Sequence, residues 1–206
     1  MAIKTIKHAL ITGFEPFGTP RPSDNRSWEV VKCLDRQTIE AGDTTVVCHC
    51  HRLPVSYDEV SMLVPRLHLS NEFSIVVHCG AGAAGEIRLE KRAHRTGYVR
   101  PGNKGPTDLP PNGCVPGYEG ADELVTSIDV DGLTAQLAGQ GWHNVRASSD
   151  AGRYLCEFTF YTSLAEGETT HPARQLTAPK TLFVHVHPVA NDVYSDAQLT
   201  ELLRDI

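Results

Sequence analysis

Short apolar runs alternate along this chain with segments whose apolar positions recur every three to four residues. His8-Ala9-Leu10-Ile11-Thr12 reads as a buried strand, and Gly13-Phe14-Glu15-Pro16-Phe17-Gly18 stops it with an irregular loop. Trp28, Val31 and Leu34 then fall at helical spacing, with Asn25 or Ser27 as the cap. Residues 44–52 form a second strand. Ser56-Tyr57-Asp58-Glu59 has the form of a capping box, opening a helix with Val60, Leu63 and Leu67 on its apolar face. Residues 73–79, with the β-branched run Ile75-Val76-Val77, give a third strand. This alternation predicts an α/β sheet with helices on both faces. Ligands of such sheets bind beyond the carboxyl ends of the strands.

The second half is less regular. Residues 86–92 read as extended, with Ile87 and Leu89 on one face and Glu90 on the other, where a strand carboxylate is expected to meet solvent. Residues 97–120 hold six glycines and five prolines, which excludes helix and central strand and predicts a lid or a disordered loop. Val130, Leu133 and Leu137 mark a short helix ended by Gly139 and Gly141, and a brief strand follows over 144–148. A helix over 154–164 buries Tyr154, Phe158 and Tyr161, with Leu164 closing it, and residues 165–180 read as a mostly polar loop. The last strand spans 181–188, with His185 and His187 on one face. Ser195-Asp196-Ala197-Gln198 then caps a helix bearing Leu199, Leu202, Leu203 and Ile206. No repeat and no linker divides the 206 residues.

Composition narrows the class. Hydrophobic residues make up 40% and charged residues 21%, as in ordinary globular proteins. A net charge of −6 without a basic run argues against nucleic-acid or membrane partners. No apolar stretch reaches membrane-spanning length, and the run after Lys4 and Lys7 ends at Gly13, too early for a signal peptide. Six irregularly spaced cysteines predict reduced thiols and a cytoplasmic location. The sequence leaves the oligomeric state open.

Three features carry candidate chemistry. Cys48-His49-Cys50-His51 invites a zinc reading, but in a strand its cysteines and histidines face opposite ways. Gly80-Ala81-Gly82-Ala83-Ala84-Gly85 could cradle a phosphate, although it lacks the Walker ending. The third is Ser149-Asp150-Ala151-Gly152-Arg153-Tyr154-Leu155-Cys156, a polar turn running into a helix with Cys156 in its first turn. Amides at a helix start stabilise a thiolate, lowering its pKa, and could hold an oxyanion. A buried core thiol is the competing reading. Against it, Cys156 lies ~200° around the helix from Tyr154, at ~100° per residue. A histidine and a carboxylate would complete a Cys–His–acid arrangement, but physics alone does not choose among ten histidines.

Several stretches occur together in one order: TGFEPFG at 12–18, NRSW at 25–28, LPVSY at 53–57, LEK at 89–91, DAGRYLCEFTFYTSL at 150–164 and FVHVHP at 183–188. In this order they resemble the pyroglutamyl peptidase I (pyrrolidone carboxyl peptidase) family of cysteine exopeptidases, and they cover most of the chain. The resemblance implies a three-layer α/β/α sandwich around a mixed, mostly parallel sheet of the phosphorylase/hydrolase-like kind, forming a single cysteine-peptidase domain over 1–206. It implies Cys156 as nucleophile, His185 as general acid/base and Glu90 as third catalytic residue. Phe14 and Phe17 match the pair packed against the pyrrolidone ring, with Leu155 and Asn25 also at the substrate. Arg100 matches an arginine near the oxyanion. The implied substrates are peptides with an N-terminal pyroglutamyl residue, and no metal or organic cofactor is required.

The chain departs from the family pattern at three places. Ala81 stands where many bacterial members have glutamine, His187 replaces a proline, and an acidic residue often found near Asn103 is missing. Two other readings stay open at this point: a relative that binds a lactam without turning it over, and a phosphate-using nucleoside enzyme.

Overall fold

The computed structural model describes residues 4–18, 20–70, 72–188 and 192–206. In chain order its elements are β1 (Thr5–Phe14), α1 (Arg26–Val31), β2 (Thr38–Ala41), β3 (Thr44–Leu53), α2 (Tyr57–Ser70), β4 (Phe73–Ala81), β5 (Ile87–Glu90) and β6 (Arg92–His94). They continue with β7 (Glu123–Val125), α3 (Val130–Gly139), β8 (Val145–Ser148), α4 (Leu155–Ala173), β9 (Lys180–Val186) and α5 (Asp196–Asp205). One 7-stranded sheet has the order β2-β3-β1-β4-β9-β5-β8. Its pairings are parallel except β2–β3 and β5–β9, which are antiparallel. The mixed, mostly parallel sheet expected from the family resemblance is the sheet observed.

Alternation along the strands builds the two faces. Leu10, Val76 and Phe183 point into one core with α2 and α4. Ala9, Ile11, Val77, Leu182 and Val184 point the other way, toward residues of α1, α3 and α5. Gly13 lets the first of these helices approach, because a Cβ there would stand 2.6 Å from the Trp28 Cα. The thiols of 48–51 follow the same alternation: Cys48 lies in the second core, while His49 pairs with His8 at 2.9 Å. Burial, followed by the charge of Asp35, pushes the Cys50 thiol up to about 12, and this thiol donates to the Val31 carbonyl at 3.2 Å.

Four sequence expectations need correction. Residues 165–180 are not mainly loop, since α4 continues to Ala173. Two of its polar residues are buried and partnered across elements: Ser163 bonds His68 at 2.7 Å, and Tyr118 donates to Glu166. Those partners are distant in the chain, so local polarity misleads. Tyr154 does not lie inside this helix either, but is its extended N-cap. At the start of α2, the hydroxyl of Ser56 and the N–H of Tyr57 both donate to Asp108, at 3.2 and 3.1 Å, so a distant carboxylate supplies the cap. Finally, the segment 86–92 breaks at Lys91, and β6 leaves the main sheet to pair with β7 as a separate antiparallel ribbon.

The glycine- and proline-rich segment 97–120 is tied down along its length. Gly97 and Tyr98 donate to Gly113, Asp108 accepts from Lys104 N–H, and Asn103 N–H donates to the Val55 carbonyl. Tyr98 and Val115 are buried from it into the first core.

Candidate active site

The carboxyl ends of β1, β4 and β9 meet the amino end of α4, on the face that α4 covers. Pairing brings Gly80 opposite His185 across β4 and β9. A Cβ on Gly80 would stand 2.8 Å from Cys156 Sγ, and one on Gly82 would stand 2.7 Å from His185 Cβ. The glycine run therefore has a packing reason to be there: it admits the sulfur and the imidazole. That reason does not call for phosphate.

His185 is buried, with its Nδ1 2.8 Å from Glu90 Oε1. Glu90 lies opposite Phe183 in the antiparallel β5–β9 pair, so it reaches His185 as a diagonal neighbour. It is completely buried, not solvated as its strand position alone predicted. The reason is tertiary: β5 sits inside the sheet between β9 and β8. Burial alone would push the His185 imidazole down, but the neighbouring Cys156 sulfur and the Glu90 carboxylate bonded to its Nδ1 raise it to about 9. Phe183 packs against the ring at 4.7 Å between centroids.

Cys156 is half-buried and is the second residue of α4. First-turn amides of a helix lack intrahelical acceptors, and Cys156 lies in that first turn. Phe14, Phe17, Val55, Ala81, Tyr154 and Leu155 line a narrow crevice with Cys156, of about 10 Å³. The walls are mostly apolar.

The loop carrying Phe14 and Phe17 is held from behind. Phe14 N–H donates to Ser27 Oγ at 3.0 Å, Asn25 Nδ2 to the Glu15 carbonyl at 2.9 Å, and Asn103 Nδ2 to the Pro16 carbonyl at 2.9 Å. Asn25 Oδ1 caps α1 by accepting from Ser27 N–H at 3.0 Å. The Asn25 side chain thus serves the loop and the helix, and it is not among the residues lining the pocket. Arg100 is likewise not in the lining; its guanidinium lies 4.3 Å over the Tyr154 ring. His187 is buried beyond β9, accepting from Tyr194 N–H at Nε2 (3.1 Å) with Arg26 against its Nδ1. It is occupied away from Cys156.

Sequence reasoning missed Tyr154 and Val55 as pocket walls, although both lie in quoted stretches. Extended backbone at Tyr154, with φ −132 and ψ −166, turns its ring out of the expected stripe and toward Phe17, 6.0 Å away. Among the described residues, no group of three or more His, Cys, Asp or Glu could hold a metal ion, and no helix is long and apolar enough to cross a membrane.

A thiol at a helix start, an imidazole against it and a buried carboxylate behind, on an α/β sheet, have the form of a cysteine peptidase site. Comparison with known proteins agrees. The model of the family described as Pyroglutamyl peptidase matches residues 7–201, and the chain belongs to that family. It is 35% identical to pyroglutamyl-peptidase 1 of Mus musculus over 97% of this chain and 88% of that protein. To the pyrrolidone-carboxylate peptidase of Enterobacter sp. (strain 638) it is 30% identical, over 88% and 78%. The crystal structure of pyrrolidone carboxyl peptidase from Fervidobacterium islandicum superposes with a TM-score of 0.79, at 25% identity, over 96% of this chain and 95% of that one.

Proposed function

We propose that this protein hydrolyses the amide bond after an N-terminal pyroglutamyl residue of peptides, the whole chain acting as one cysteine-peptidase unit. The observation that carries this reading is the 2.8 Å contact between His185 Nδ1 and Glu90 Oε1, on the residue paired across the sheet with Gly80, against which the Cys156 sulfur packs. With Nδ1–H donated to Glu90, Nε2 is left to exchange a proton with the sulfur.

The Cys156 sulfur attacks the pyroglutamyl carbonyl carbon, and amides at the start of α4 stabilise the oxyanion. His185 then protonates the departing amine as the C–N bond breaks, leaving a thioester on Cys156. Water gives a proton to His185 and attacks the thioester, releasing pyroglutamate and restoring the thiol. A pyroglutamyl terminus is a neutral lactam without a free amine. Its recognition calls for apolar ring walls, which Phe14, Phe17 and Leu155 offer, and for amide partners. Ala81 leaves those partners to backbone groups, and Arg100, stacked over the pocket wall Tyr154, supplies positive charge beside the site.

No metal or organic cofactor enters these steps. All six cysteines are free thiols, which fits a reducing, cytoplasmic compartment, and the acidic balance fits neither nucleic acid nor membrane as partner. Release of the fluorophore from a pyroglutamyl amide, with and without prior thiol alkylation, tests the reading. Alkylation-sensitive release supports it, whereas saturable binding without release would show a non-catalytic relative.

A further inference from the structure

One residue past Cys156 lies a completely buried carboxylate that the proposed reaction does not use. Glu157 Oε2 accepts from Arg153 N–H at 2.6 Å. Its Oε1 accepts from His94 N–H at 3.0 Å and from Arg153 Nη1 at 2.7 Å, and lies 2.6 Å from His94 Nδ1.

Gly152 N–H donates to Asp150 Oδ1 at 3.0 Å at the start of the turn that precedes α4, and the Glu157 contacts hold its end. Gly152 and Arg153 have φ of +94 and +48, and the second is a left-handed position that disfavours a side chain. The N-cap, Tyr154, makes no side-chain capping bond. Glu157, at the third helical position, reaches back instead to the N–H just before the cap, a capping contact made from inside the helix. Gly97 leaves room for this arrangement, because a Cβ there would stand 3.1 Å from Arg153 Cδ.

The other end of the clamp is on β6, which begins two residues after Glu90. His94 Nε2 is also 3.1 Å from Glu123 Oε2 on β7, and Arg92 Nη1 is 3.0 Å from Glu123. Glu157 therefore joins the segment that follows the acid strand to the turn that presents the thiol.

We propose that Glu157 is a positioning residue, which fixes the Gly152–Arg153 turn against His94 and so sets Cys156 and the first-turn amides of α4 relative to His185. The proposal rests on the reading of Cys156 as nucleophile. The alternative is that Glu157 only stabilises the helix start.

The test is Glu157→Gln, nearly the same shape without the charge. Its kcat and KM on a pyroglutamyl amide, its thermal unfolding, and the pH dependence of Cys156 alkylation by iodoacetamide, followed by peptide mass, are compared with wild type. Loss of positioning lowers kcat by ~10²-fold, leaves KM within about threefold, and shifts the alkylation profile. Reduced unfolding temperature with wild-type kcat per folded molecule and an unshifted profile would overturn the proposal. If Glu157→Gln does not fold, His94→Ala, which removes one end of the clamp, carries the same comparison: a lower kcat and a shifted profile support it, and unchanged values overturn it. A wild-type protein that is alkylated at Cys156 but releases no pyroglutamate would instead sink the functional reading, leaving the alkylation profiles to judge Glu157.

Discussion

Gly80 passes so close to Cys156 that a methyl group on its Cα would stand 2.8 Å from Sγ, and 2.8 Å from Cζ of Phe183. Backbone of β4 is thus the floor on which the sulfur rests, and the sulfur faces His185 across that floor. Gly80→Ala should cost about 1–3 kcal/mol of stability through overpacking. Its larger effect should be on turnover of a pyroglutamyl amide, falling by ~10²-fold as the thiol is displaced. Chemical unfolding and steady-state kinetics on one preparation check both. An active Gly80→Ala enzyme would mean that the sulfur position does not matter.

The Glu90–His185 pair predicts an alkaline limb. His185 is raised from 6.5 to about 9, against burial, by Cys156 and Glu90. The stability this adds is complete below about 6.5 and is lost as pH rises through about 9. Over the same upper range His185 loses the proton it gives to the leaving amine, so kcat/KM should fall as pH approaches 9. Glu90→Gln removes one of the raising partners and should move that limb to lower pH, along with a loss of rate. An unmoved limb would show that Glu90 does not act on His185.

Acid should weaken the fold through two other histidines. Burial first, then a neighbouring histidine, pushes both His68 and His78 down to about 3. A folded pKa below the unfolded 6.5 means that the unfolded chain binds protons first. Stability is then complete above about 6.5 and falls as pH drops from there toward 3. Each residue accounts for about 2 kcal/mol of that loss by pH 5. Urea midpoints at pH 7 and pH 5 measure it, and His68→Gln should make the difference smaller.

Phe17 forms one wall of the pocket and is only half-buried, whereas Phe14 is also part of the core. Phe17→Ala should therefore lower kcat/KM for a pyroglutamyl amide by roughly 10–200-fold, the range for losing apolar contact in a binding pocket, while unfolding changes little. Phe14→Ala should destabilise by about 3–5 kcal/mol, as a core truncation. Equal stability losses in the two variants would contradict this division.

The sheet was legible because its strands are short, continuous apolar runs and its helices keep a 3.6-residue period; Leu10, Val76 and Phe183 meet where that pattern puts them. Cys156 was legible as a nucleophile candidate from a turn running into a helix, but its partners were not. Glu90 and His185 are brought together by β5 lying antiparallel beside β9, a pairing that no local pattern encodes, and only the ordered family stretches named them. The extension of α4 was hidden because Ser163 and Glu166 find partners on α2 and in the 97–120 segment. Asp108 and Glu157 were missed for the same reason: each caps a helix across a long loop or a turn, and each reads in sequence as an ordinary surface acid.

The most direct measurement is the rate at which purified Cys156→Ala, refolded to the wild-type unfolding midpoint, releases the fluorophore from a pyroglutamyl amide. A sulfur that forms the thioester predicts no release above background, with Cys156→Ser equally inactive. Release at the wild-type rate from Cys156→Ala would contradict the account.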